Sequence, residues 1–294
     1  LTATQLMSQG ERPWWWGALA AKLLMASYGP LSAFAIYAMG RRFLSPLAGL
    51  AAAAIFVSSP WVVHISVNGL NEVVLGYYLL TATYVLLISP FSIRSVIVAG
   101  FLAGAAASCK YTGLVFVVLP LAILVGFLVS VYPPRNFAKA TCYAATFLLI
   151  ATLSCGSWYG KNWILTGNPT YPLLSSIFAG KTRSAEKDAR WAQAHKPPAN
   201  TLKNLAESTR HVLWKSDFHD PLTVPLAAIG IAGIALAMLN QRRMGERPSR
   251  DLAMSHLPLI ASIALLLYFL VVWWLCTHRL DRFLVPAIPL AALL

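Results

Sequence analysis

Apolar runs close to the length of a bilayer crossing recur along nearly the whole chain. They lie at residues 17–39, 44–63, 70–88, 140–158, 222–240 and 254–276, with a longer stretch at 95–131 and another from 283 to the last residue. A helix needs about 20 residues to cross a hydrocarbon core about 30 Å thick. In hydrocarbon every backbone N–H and C=O must be paired within the protein, and runs of this kind satisfy that as helices. The chain is 58% hydrophobic and 11% charged, against about 25% charged residues in soluble domains. Its mean hydropathy is +0.64. The expected fold class is all-α, a polytopic transmembrane helix bundle. It forms one membrane domain over residues 1–294 with a large loop at 159–221.

The stretch 95–131 is too long for one crossing. As a single straight helix it would measure about 55 Å at 1.5 Å per residue. Two helices broken near 110–113 fit better, the first of them short, which gives about nine hydrophobic segments in all. Basic residues test the split, because cytoplasmic loops carry an excess of Lys and Arg. With the break, Arg41, Arg42, Arg94, Arg135, Lys139 and the run QRRMGERPSR (241–250) share one side. Without it, that last run moves to the side opposite Arg41 and Arg42. The other, non-cytoplasmic face then holds the N-terminal segment with Trp14, Trp15 and Trp16, the 64–70 turn, the break at Lys110, the 159–221 loop and residues 277–282.

The net charge of +13 is therefore a matter of loops and lipid headgroups and not of nucleic acid. Cys109, Cys142, Cys155 and Cys276 lie in or beside apolar runs with no CxxC pair, and they read as small apolar filler. No His, Asp and Glu cluster has ligand spacing, so no tightly bound metal or cofactor is expected, and dependence on a divalent ion is left open. Gly100 and Gly104 are a small-xxx-small pair suited to close helix packing.

Rare charges mark the candidate site. Lys110 interrupts the apolar stretch GFLAGAAASCKYTGLVFVVLP (100–120), where a cation costs about 2.5–3.5 kcal/mol at a bilayer centre. Glu72 follows NGLN (68–71) at the start of an apolar helix. It either complements the helix dipole or serves as, or holds, a general base at the membrane rim. The 159–221 loop carries Lys161, GNPTYP (167–172) and EKDARWAQAH (186–195) with Arg190 and His195. An amphipathic surface helix is expected after Asn200 as N-cap, with Leu202, Leu205, Val212 and Leu213 on its apolar face. THRLDRF (277–283) places His278, Arg279, Asp281 and Arg282 at a helix junction, where Arg suits bidentate phosphate binding and Asp281 could pair with a neighbouring Arg.

Four stretches carry a family resemblance: GRRFLSPLAGLAAAAIFVSSPW (40–61), GFLAGAAASCKYTGL (100–114), WYGKNWILTGNPTYPL (158–173) and THRLDRFLVPAIPL (277–290). Together they resemble the GT-C superfamily of integral-membrane glycosyltransferases. Within it they are similar to protein O-mannosyltransferases and aminoarabinose transferases, in bacterial forms often labelled dolichyl-phosphate-mannose-protein mannosyltransferase-like. The resemblance implies a sugar moved by inversion from a polyprenyl-phosphate-linked donor to an acceptor hydroxyl. It places the active face outside the cytoplasm of a bacterial inner (plasma) membrane. It implies a carboxylate base, for which Glu72 is the candidate here, and Lys110 and Tyr111 in the family's K-Y/W-x-G stretch, with Lys110 on the lipid phosphate. Lys161, Arg190, His195, His278, Arg279 and Arg282 are substrate-binding candidates by position. The expected partners are the bilayer, the lipid-linked sugar and an acceptor of unknown kind. The family's principal acidic residue lies in its first outer loop, so the expectation is an N-terminally truncated chain that lacks it. A multi-pass transporter or lipid flippase, or a non-catalytic membrane subunit, is the alternative reading.

Overall fold

The computed structural model describes residues 13–88, 91–131, 137–178, 184–217, 220, 222–243 and 250–294. Each expected apolar run is helical among them, and no strand occurs. The helices are α1 (Pro13–Phe43), α2 (Pro46–Ser58), α3 (Pro60–Asn68), α4 (Glu72–Ile88), α5 (Ile93–Cys109), α6 (Leu119–Val131) and α7 (Phe137–Thr166). Short helices α8 (Ser175–Phe178), α9 (Ala185–Ala194) and α10 (Leu202–Arg210) follow, then α11 (Thr223–Arg243), α12 (Arg250–Cys276) and α13 (Ile288–Leu293). A π-helical turn at Leu114–Val118 leads into α6, another at His211–Lys215 extends α10, and a 3-10 segment covers Asp281–Ala287.

Among the described residues four helical stretches are long and apolar enough to cross a membrane: Trp14–Phe43, Leu114–Val131, Phe137–Thr166 and His256–Cys276. The run expected at 44–63 is not one straight helix. It forms α2 and α3, bent by 61°, because Pro60 cannot continue the helix and drives Ser59 to an extended backbone at φ −64°, ψ 121°. The stretch 95–131 divides as expected. Helix α5 ends at Cys109, and Lys110 is extended at φ −160°, ψ 139°.

The chain forms two compact units. Unit 1 comprises Leu1–Leu80, Arg210–Leu266 and Asp281–Leu294. Its interior is built on Ile36, Phe56, Ile65, Leu75, Leu79, Leu80 and Leu290. Helices α1 and α2 touch where Gly40 meets Gly49, and a Cβ on Gly40 would lie 2.5 Å from the Gly49 Cα.

Unit 2 comprises Thr81–Thr209 and Leu267–Leu280. Helices α5 and α7 pack backbone to backbone through the expected glycine pair. A Cβ at Gly100 would come within 2.8 Å of the Phe147 carbonyl, and one at Gly104 would collide with that of Ala151. Ser154 Oγ donates across the same seam to the Phe101 carbonyl at 2.9 Å. Phe116 stacks on Phe269 at 4.1 Å, and Tyr268 donates to the Val115 carbonyl at 2.9 Å.

Two local expectations are corrected. Residues 159–166 continue α7 instead of opening the loop, since Gly160 stays helical and the first left-handed residue after it is Gly167, whose φ is +76°. The cap of α10 is Thr201, whose Oγ1 accepts from the Asn204 N–H at 3.2 Å. The Arg-rich run 241–250 and Arg135 lie outside the residues whose side chains are described, as do Glu11 and most of the N-terminal segment.

Candidate functional site

In unit 1 the site grows from the turn between α3 and α4. Helix α3 stops at Asn68 because Gly69 adopts the left-handed conformation at φ +71°, which glycine enters without a Cβ penalty. The Leu75 N–H then bonds the Asn71 carbonyl at 3.0 Å and starts α4 with Glu72 in its first turn. The position suits a carboxylate, because the dipole is positive there. Glu72 is nevertheless 2% exposed. Arg282, at the start of the 3-10 segment, brings its Nε to 3.6 Å from Glu72 Oε1, with 39% of the arginine side chain exposed. At that distance the contact is an ion pair and not a hydrogen bond.

Two more groups in unit 1 were not singled out by pattern. Lys22 on α1 lies against the Gly69 turn, its Cγ 3.2 Å from where a Cβ would sit. The signal for it was a lone cation inside the first apolar run. Asp220 caps α11, accepting from the N–H groups of Leu222 at 3.2 Å and Thr223 at 3.0 Å and from Thr223 Oγ1 at 2.9 Å. Burial pushes its carboxyl up, but these hydrogen bonds outweigh burial and hold it below the usual range. Asp281 pairs with His211 Nε2 at 3.3 Å; a neighbouring Arg was one partner the sequence left open.

In unit 2, Lys110 is half-buried at the end of α5, with its N–H on the Ala106 carbonyl at 3.3 Å. Tyr111 follows and is fully engaged. Its hydroxyl donates to the Tyr171 carbonyl and accepts from Asn162 Nδ2 at 2.8 Å, while its ring meets Tyr159 edge-on at 5.8 Å. Asn162, Thr166, Asn168 and Thr170 knit the N-W…T-G-N-P stretch to itself. Buried Asn168 donates to the Leu173 carbonyl at 2.7 Å and accepts from the Thr170 N–H at 2.8 Å. The motif is thus a braced turn, with Tyr111 as its tie to the end of α5.

Lys161 is exposed, with Nζ 3.7 Å from the Trp158 ring centroid. Arg190 is exposed and pairs with Glu186 on the same face of α9 at 3.4 Å. His195 stacks on Trp191 at 4.2 Å and meets His278 edge-on at 5.4 Å. Among the described residues no three His, Cys, Asp or Glu side chains gather as metal ligands.

Arg279 is the most unusual side chain of unit 2. It is 6% exposed, and its φ is +56°, a conformation uncommon outside glycine. Its N–H bonds Thr277 Oγ1 at 3.0 Å, its Nε bonds the Trp274 carbonyl at 3.0 Å, and one Nη bonds Asn200 Oδ1 at 2.6 Å. Every one of these acceptors is neutral. The other nitrogen, Nη1, is buried without a hydrogen-bond partner among the described residues. Asn200 thus serves as the receiver of this arginine and not as a helix cap. A buried guanidinium with an unused donor and neutral surroundings can take an anion.

The structure therefore joins Glu72 with Arg282 in unit 1 and His195 with His278 in unit 2. It leaves Lys161 and Arg190 in exposed local contacts.

A sequence model of the family described as dolichyl-phosphate-mannose-protein mannosyltransferase matches residues 12–158. Among solved structures the chain is similar to ArnT from Cupriavidus metallidurans, crystallised bound to undecaprenyl phosphate, with a TM-score of 0.58 and 14% identity. The likeness covers 99% of this chain and 47% of that one, so the chain spans about half the length of that protein. At this identity the likeness speaks to the fold. No curated protein sequence matches significantly.

Proposed function

Because this chain belongs to the dolichyl-phosphate-mannose-protein mannosyltransferase family and has the GT-C fold, we propose that it serves sugar transfer from a polyprenyl-phosphate-linked donor to an acceptor hydroxyl. The reaction takes place at the non-cytoplasmic rim of the membrane. The acceptor oxygen forms a bond to C1 as the C1–O bond to phosphate breaks, inverting that carbon. The electron pair stays on the departing polyprenyl phosphate, and the acceptor proton passes to a carboxylate. Glu72 is the group of this chain proposed to receive that proton or to orient the group that does. Its burial removes competing water, and Arg282 fixes the carboxylate.

The observation that carries the reading is Arg279. A buried cation with an unused Nη1 and only neutral acceptors fits a phosphate, whose oxygens take the planar fork of an arginine. Lys110, in the same unit, is the second proposed phosphate contact, a point charge to stabilise the leaving group. The undecaprenyl phosphate bound to ArnT supports a lipid of that class as the donor carrier.

The test uses the purified protein in nanodiscs with a radiolabelled polyprenyl-phosphate sugar and with polyprenyl phosphate alone. Folded Arg279→Gln and Lys110→Ala variants are expected to bind polyprenyl phosphate at least about tenfold more weakly, the loss of one charge-assisted contact each. Wild-type affinity in both variants would refute the phosphate assignment. Wild-type transfer in Glu72→Gln would remove Glu72 from the reaction.

A further inference from the structure

Helices α1 and α2 enclose an open apolar groove in unit 1, and its lining includes none of the candidate-site residues. It is about 670 Å³ in volume and is lined by Pro30, Phe34 and Tyr37 of α1 and by Leu47, Leu50 and Val57 of α2, among others. The volume falls in the range of about 300–1,000 Å³ typical of sites that hold small molecules. Its walls face outward, with Phe34 72% and Leu47 76% exposed. The walls are continuous for a helical reason. Residues 30, 34 and 37 lie three or four apart on α1, and 47, 50, 53 and 57 do the same on α2, so each set forms one stripe.

The next residue on the α1 stripe, four beyond Tyr37, is Arg41. It is exposed, as is Arg42 beside it, and the two end α1 just before the turn into α2. The groove thus has an apolar lining, and two exposed arginines follow one helical turn beyond Tyr37 in the last turn of α1. Its length is also limited. From residue 30 to 37 α1 rises about 10 Å, and from 47 to 57 α2 rises about 15 Å. One leaflet of a bilayer is about 15 Å of hydrocarbon. An acyl chain of one leaflet matches that depth, whereas a polyprenyl chain far exceeds it.

We propose that this groove is a binding site for an anionic glycerophospholipid, with one acyl chain along the two stripes and its phosphate at Arg41 and Arg42. Charge complementarity selects the anionic headgroup, and the apolar stripes hold the chain. The site does not depend on the transfer reaction.

The test compares the full chain with Arg41→Gln/Arg42→Gln and Leu50→Trp variants, reconstituted in equimolar phosphatidylglycerol and phosphatidylethanolamine, extracted in mild detergent and measured by native mass spectrometry. The wild-type chain is expected to retain one phosphatidylglycerol in preference to phosphatidylethanolamine. The double Arg variant, whose substitutions are on the surface, is expected to bind it about thirtyfold more weakly, the effect of two lipid-facing cations. Leu50→Trp fills the groove and keeps both charges, and it too is expected to lose the lipid. Equal retention of the two lipids would overturn the proposal. So would wild-type retention in Leu50→Trp, which would mean surface attraction alone, or retention of polyprenyl phosphate in place of the phospholipid when both are offered.

Discussion

The ion pair of Glu72 with Arg282 should answer unequally to loss of its two partners. The carboxylate side chain is 3% exposed and the arginine 39%. Removing one member of a buried pair costs about 3–5 kcal/mol, because it strands a charge. Here the contact is 3.6 Å and one partner reaches solvent, so Arg282→Gln should cost less, about 1–3 kcal/mol. Glu72→Gln leaves the Nε of Arg282 without its carboxylate, but 39% of that side chain is exposed, and the cost should be smaller, about 1 kcal/mol. The double variant should recover about 1 kcal/mol relative to the sum of the single ones. Unfolding in mixed micelles with increasing denaturing detergent measures all four corners of the cycle. If Glu72→Gln costs as much as Arg282→Gln, the carboxylate is not the desolvated partner. If the coupling is zero within error, the pair carries no energy.

Three further outcomes follow from local geometry. Tyr111→Phe leaves both the Tyr171 carbonyl and Asn162 Nδ2 without the hydroxyl they share. A loss of about 1–3 kcal/mol is expected, read as a lower Tm. Gly104→Leu drives a side chain into the Ala151 carbonyl of α7, and overpacking should cost about 1–3 kcal/mol or more, read by the same assay. Asp220, whose carboxyl is held below its usual range, contributes stability that is full above the unfolded value of about 3.9 and is lost as pH falls through the folded one. Comparing Asp220→Asn with wild type, the stability gap should therefore be constant from neutral pH down to about pH 5 and close in stronger acid.

Much of the fold was legible because apolar runs of bilayer length have few ways to satisfy their backbone. The break at Lys110 was legible for the same reason, since a single helix there would overrun the membrane. The bend at Ser59 was written in the dipeptide before Trp61, but the hydropathy of 44–63 hides it, because a bend changes no side chain's polarity. The extension of α7 through Thr166 was missed because Lys161 and Asn162 are polar. Polarity ends an apolar run without ending a helix, and Gly167 with its positive φ is what ends this one. In the site, Glu72 at a helix start could be read from NGLNE (68–72), yet its partner could not. Arg282 lies 210 positions away in sequence (282 − 72), and no periodicity connects them. Asn200 was misassigned for a related reason. Asn and Thr are both good caps, and only the three-dimensional presence of Arg279 shows which of the two is otherwise engaged.

The segment THRLDRF shows why charge spacing alone does not assign roles. Asp281 stands between Arg279 and Arg282, and local pairing would neutralise one of them. The backbone prevents a simple reading. Thr277 donates to the Trp273 carbonyl at 2.5 Å and accepts from the Arg279 N–H at 3.0 Å, closing α12 with a turn that puts Arg279 at φ +56°. Arg279 then meets neutral acceptors, Asp281 meets His211, and Arg282 meets Glu72. The consequence is testable. If Asp281 neutralised the arginine proposed to bind phosphate, Asp281→Asn would expose more positive charge and tighten polyprenyl phosphate binding about tenfold, as for one charge pair released. With Asp281 committed to His211, affinity should stay within about twofold of wild type. The variant should instead loosen the π-helical turn at His211–Lys215, read as faster hydrogen exchange there. A tenfold gain in affinity with unchanged exchange would place Asp281 on an arginine and overturn the neutral setting assigned to Arg279.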